Sequence, residues 1–165
     1  MTKKSEFQSG DYVVYPTHGV GLIKGTESQE IAGTQLDLLV IDFEQDRMTL
    51  RIPVGKAKNS GLRRLSSRKQ MDAAIAKLKG RARVRRTMWS RRAQEYEAKI
   101  NSGDPVSIAE VVRDLRRPSN QGDQSYSERQ MYQAAIDRLA REFAKIEQID
   151  EDAAVTKLEK LMDAA

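Results

Sequence analysis

The chain has 165 residues, 39% of them hydrophobic and 32% charged, enough for one globular domain or two small ones. It has no cysteine, which excludes disulfides and thiolate metal sites, and no apolar run near the ~20 residues of a membrane span. Its net charge of +5 conceals a division: residues 1–46 carry three basic and eight acidic side chains, residues 47–94 sixteen and one, and residues 95–165 ten and fifteen. A strongly basic centre predicts a polyanionic partner, against the alternative of a solvated face or a basic linker. The start, MTKKSEFQSGD, lacks an apolar signal region, so a soluble cytoplasmic protein is expected.

The first sixty-five residues read as short strands. Asp11–Tyr15 (DYVVY) is β-rich and stops at Pro16, and Thr17-His18-Gly19 is turn material. Val20–Lys24 resumes as a second strand, and Thr34–Phe43 (TQLDLLVIDF) follows a turn at Ala32-Gly33. After a polar turn at Glu44–Asp46, Arg47–Ile52 forms a fourth strand, which Pro53 ends or marks as an edge. A short fifth lies near Leu62–Arg64. So many short strands in so few residues imply a small, strongly bent sheet or barrel.

After Leu65 the apolar spacing becomes helical. Ser67 is expected to cap a helix with Met71, Ile75 and Leu78 on one face, stopped at Gly80. Thr87 caps a second, holding Trp89, Tyr96 and Ile100 and ending near Gly103. Asp104-Pro105 opens a third with Ile108, Val111, Val112 and Leu115 inward; Pro118 ends it and residues 119–125 form a loop. Ser127 with Gln130 makes a capping box for the longest helix, on which Met131, Ala135, Leu139, Phe143 and Ile146 recur. Asp150 caps a last helix through Val155, Leu158, Leu161 and Met162. The expected class is α+β: an N-terminal bent β module, residues 1–65, then an all-α domain of about five helices, residues 66–165.

Catalytic patterns are poor. Gly19-Val-Gly21-Leu-Ile-Lys-Gly25 approximates a phosphate loop, but its last spacing is one residue too long and it leads into a strand. Its glycines are read as turn and bend positions. His18, the only histidine, has no second base to work with and is read as a turn residue. Pairing with Lys and Arg four residues away explains most carboxylates of the terminal helices. No enzyme, cofactor or metal is expected.

The strongest chemistry lies between Arg81 and Arg92, where six arginines surround the only tryptophan. On a helix opening near Thr87, the side chains of Arg85, Arg86, Arg91 and Arg92 flank the Trp89 indole. Such arginines bind phosphates, and a flat apolar plate among them has two uses. It stacks on an unpaired base, contributing ~1–3 kcal/mol, or it wedges into the minor groove and unstacks a base step. The alternative is a core tryptophan that shares a stripe with Tyr96 and Ile100 under arginine stems.

Four stretches closely resemble the CarD/CdnL family of bacterial transcription regulators: GDYVVYPTHGVGLI (Gly10–Ile23), LRIPV (Leu50–Val54), MWSRR (Met88–Arg92) and AEVVRDLRR (Ala109–Arg117). The resemblance covers nearly the whole chain. It implies a Tudor-like N-terminal module that binds the RNA polymerase β subunit. It also implies a helical C-terminal domain that binds promoter DNA at the upstream edge of the melted −10 region. Trp89 is then a minor-groove wedge stabilising the open promoter complex, in a monomeric activator held at the nucleoid through polymerase. By position, the family's basic polymerase contact falls on Arg51, with Pro53 two residues later. A second basic contact falls on Gln29, uncharged here, and a family lysine after WSRR falls on Gln94. The competing reading is an architectural nucleic-acid-binding protein that works without polymerase. A related module occurs in the transcription-repair coupling factor, but this chain has no GxxxxGK[ST] phosphate loop for a motor.

Overall fold

The computed structural model describes residues 7–81, 88–116 and 125–163. The chain divides into two compact units, residues 1–65 and 66–165. In the first, β1 (Tyr12–Tyr15), β2 (Gly19–Ile31), β3 (Thr34–Phe43), β4 (Met48–Pro53) and β5 (Arg63–Arg64) form one antiparallel sheet in the order β4-β3-β2-β1-β5. Of the two expected forms, bent sheet and barrel, the open sheet is the one that occurs, with β4 and β5 as its edges.

The register explains the core. Leu39 lies opposite Ile52, Ile41 opposite Leu50 and Phe43 opposite Met48, so these side chains share one face. With Val13 and Ile23 they form the apolar cluster that Phe7, Ala57 and Leu62 complete. Gly21 belongs to this packing and is neither a turn nor a bend. A Cβ there would lie 2.7 Å from Ile41 Cγ2 and 2.8 Å from Phe43 Cε1, so only glycine lets β3 approach. His18 is a turn residue, as expected. Its backbone N–H donates to the Tyr15 carbonyl at 3.0 Å, and its ring stacks on Tyr15 with centroids 5.4 Å apart.

β2 departs from expectation by running to Ile31 instead of stopping at Lys24. A register shift between Ile23 and Gly25 inserts a bulge, after which pairing with β3 continues to Ile31 opposite Thr34. Ala32 and Gly33, at φ 52° and 79°, make the two-residue left-handed turn whose twist matches a hairpin.

The second unit contains α1 (Arg68–Leu78), α2 (Trp89–Asn101), α3 (Pro105–Leu115), α4 (Tyr126–Glu147) and α5 (Glu151–Asp163). α3 lies at its centre: Ile108, Ala109, Val111, Val112 and Leu115 are all buried, joined by Met71 and Leu78 of α1 and Leu139 and Phe143 of α4. Ser67 caps α1 in a full capping box with Gln70, and Asp104 caps α3 with Pro105 in the first turn. Asp150 Oδ1 accepts the Ala153 N–H at 2.7 Å before α5.

Two caps differ from the sequence reading. α4 is capped by Ser125, whose Oγ accepts the Glu128 N–H at 3.2 Å, not by Ser127 with Gln130. The Ser125 frame places Glu128 in the first turn, where negative charge meets the positive end of the helix dipole. α2 has Met88 in the N-cap position; Thr87, expected there, lies outside the described residues, as does Pro118. No described helix is long and apolar enough to cross a membrane.

Arg116, just past α3, ties three helices together. Its Nη1 donates to Tyr132 Oη of α4 at 3.1 Å and to Glu159 of α5, and its Nη2 donates to Asp163 Oδ1 at 3.2 Å. Burial raises the pKa of the Tyr132 phenol, which remains neutral within this cluster.

Candidate nucleic-acid and partner interfaces

In the helical unit, Trp89 is the first residue of α2. α2 turns Tyr96 and Ile100 into the core, and Trp89, two turns before Tyr96, falls on the same stripe. The indole is half-buried, packed against the core on one side, with its ring 6.3 Å from Tyr96 at 50°. It is therefore neither a fully enclosed core residue nor a free surface one.

The arginines around it are not equivalent. The guanidinium carbon of Arg92 lies 5.5 Å from the Trp89 ring centre and 5.8 Å from that of Tyr96. Its Nε is buried without a hydrogen bond among the described residues, so attraction to two ring faces takes the place of an acceptor. Arg91 is exposed, as is Gln94. Arg85 and Arg86, expected to complete the cluster, lie outside the described residues. The helix carrying Trp89 is pinned to α3 by Lys99, whose ammonium donates to Glu110 Oε2 at 2.8 Å. That hydrogen bond is the main reason the Glu110 carboxyl is held below its ordinary pKa.

In the β unit, the sheet brings Arg51 and Gln29 together. Arg51 pairs with Val40, Pro53 with Leu38, and Leu38 with Glu27, so Arg51, Pro53, Glu27 and Gln29 occupy the sheet face opposite the apolar cluster. Arg51 Nε donates to Glu27 Oε2 at 3.1 Å, and Gln29 Nε2 donates to the same oxygen at 3.5 Å. Both partners of the ion pair stand almost half exposed, at 46% and 45%, so the pair is screened and contributes little to stability. Its effect is geometric: it holds the guanidinium by Nε and leaves Nη1 and Nη2 without acceptors among the described residues. β4, which carries Arg51 and Pro53, is an edge strand with one side unpaired among the described residues.

Glu27 escaped the sequence reading. Its signal was alternation with Gln29, two residues on, which has meaning only once β2 is known to continue past the bulge. Among the described residues no group of His, Asp and Glu is placed to hold a metal.

Comparison with known proteins gives two family matches: residues 7–66 fit the CarD-like/TRCF RID domain, and residues 73–159 fit the CarD C-terminal domain. The Bacillus subtilis (strain 168) protein named "Putative transcription factor YdeB" is 31% identical over 145 residues, 88% of this chain and 95% of that one. The solution NMR structure of the 72-residue N-terminal domain of Myxococcus xanthus CarD is 30% identical. That match covers 38% of this chain and 84% of the domain, with a TM-score of 0.32.

Proposed function

Since this chain belongs to the CarD family through both of its domains, we propose that it is a transcription regulator that couples RNA polymerase to promoter DNA. Residues 1–65 bind the polymerase β subunit through the face carrying Arg51, Gln29 and Pro53, beside the open edge of β4. Residues 66–165 bind DNA at the upstream edge of the melted promoter, where Trp89 wedges into the minor groove, Arg85, Arg86 and Arg91 hold phosphates, and Arg92 backs the indole.

The observation that supports this most is the half-buried Trp89 at the start of α2, inside the most basic stretch of the chain. A wedge needs one supported side and one accessible side. Tyr96 and Arg92 supply the support, and the basic stretch supplies attraction to the backbone that a wedge parts. Phosphate contacts of this kind give weak, sequence-independent affinity, on the order of 10⁻⁴–10⁻⁶ M at physiological salt. Attachment to polymerase raises the local concentration toward the millimolar range and confines DNA binding to promoters already engaged. Contacts that favour open over closed promoter by ~1.4 kcal/mol shift that equilibrium about tenfold. The reading requires no catalytic step.

Capture of core polymerase by the wild-type chain, Arg51→Glu and Trp89→Ala tests it. The expected result is a loss of capture of about tenfold or more for Arg51→Glu, equivalent to ~1.4 kcal/mol or more, with capture by Trp89→Ala unchanged. If the wild-type chain captures no polymerase yet binds DNA, the architectural reading replaces this one.

A further inference from the structure

We propose that Met88 is a second apolar contact to DNA, entering the same base step as Trp89 from the tip of α2. The proposal rests on the DNA-binding reading of this helix start and names a residue that reading does not use. Met88 is 77% exposed, more than any other large apolar side chain described. It is absent from the helical core, so packing does not explain it.

Its position is also costly. Ser67, Asp104, Ser125 and Asp150 precede α1, α3, α4 and α5, and each accepts a first-turn N–H with a side-chain oxygen. Met88 occupies the N-cap of α2 and makes no such bond. Its thioether is a poor acceptor, and serine, threonine, aspartate and asparagine are the residues preferred there. A residue that weakens its own helix, joins no apolar cluster among the described residues and stands in solvent points to a role outside the fold.

Geometry and charge identify the partner. The Met88 carbonyl accepts the N–H groups of Arg91 and Arg92, both at 3.1 Å, so the first turn of α2 fixes Met88 as the residue directly before Trp89, on an extended backbone at φ −57° and ψ 142°. The flanking stretch from Arg81 to Arg92 attracts a polyanion. Methionine is among the apolar side chains that insert between base steps in the minor groove, and its flexible, polarisable chain fits an irregular gap. Trp89 commits one side to Tyr96 and Arg92, so a second apolar group enlarges the surface that fills the opened step.

Open-complex lifetime on one promoter, measured with the full chain as wild type, Met88→Ser, Met88→Leu and Trp89→Ala, tests this beside thermal denaturation. Met88→Ser supplies the missing cap and is expected to raise the melting temperature of the helical unit while shortening the lifetime severalfold. Met88→Leu keeps an apolar tip and is expected to keep the lifetime. These opposite movements of stability and function separate a contact from a structural role. A wild-type lifetime with Met88→Ser, while Trp89→Ala shortens it, overturns the assignment of Met88 alone. An unchanged lifetime with Trp89→Ala removes the DNA reading and this proposal with it.

Discussion

Arg91 and Arg92 are neighbours in sequence but differ in what their side chains do. Arg92 is spent on the faces of Trp89 and Tyr96, whereas Arg91 is open to solvent. DNA binding of Arg91→Ala is therefore expected to show a salt dependence reduced by about one in log K against log salt, the loss of one neutralised phosphate. Arg92→Ala is expected to leave that slope near wild type and to change Trp89 fluorescence, because it removes the cation from the indole face. Equal slopes for the two variants would contradict this division of roles. For Trp89→Ala, half-burial sets the stability loss below the ~3–5 kcal/mol of an enclosed tryptophan, as thermal denaturation will show. The tryptophan and its basic setting were legible in composition. The stacking of Arg92 was implicit in its spacing of three residues from Trp89, which is one helical turn. The Glu27 carboxylate that joins Arg51 to Gln29 was not legible, because a polar residue in an exposed strand leaves no apolar pattern.

At the scale of elements, most strands and all five helices follow from apolar spacing and turn chemistry. The long hairpin does not: Thr26–Glu30 are polar on both faces, so no alternation marks them as strand, and only pairing to β3 makes them one. The cap of α4 was ambiguous for a related reason, since Ser125 and Ser127 each have a suitable residue three positions later. Tertiary ties were invisible in the sequence, and two of them are testable. Arg116→Ala removes charge-assisted bonds to α4 and α5 and is expected to cost the helical unit ~1–3 kcal/mol, read as a lower melting temperature. The Lys99–Glu110 tie is acid-sensitive. A carboxyl whose folded pKa is depressed contributes stability above its ordinary value of 4.5, and that contribution is lost as pH falls through the lowered folded pKa. Melting temperatures of wild type and Glu110→Gln are therefore expected to differ at neutral pH and to converge below that value. A difference independent of pH would assign the effect of Glu110 to packing.

At the scale of the whole molecule, charge is distributed unevenly between the two units. The β unit places one guanidinium on an exposed sheet face, and the start of the helical unit carries the concentrated basic stretch. On the proposed function, weak DNA binding and separate polymerase attachment would together give promoter-selective action without base-specific contacts, which neither would provide alone. The division into β and helical units was legible because the apolar period changes from two to about three and a half near residue 65. The proposed function requires attachment and DNA contact to act together on melted promoter. The most direct measurement is open-complex lifetime on one promoter without the protein, with the wild-type chain and with Arg51→Glu. The wild-type chain is expected to lengthen the lifetime. Arg51→Glu is expected to lose that effect at low concentration and recover part of it at high concentration, as mass action replaces the lost attachment. A lifetime unchanged by the wild-type chain, or lengthened equally by both at low concentration, would contradict the account.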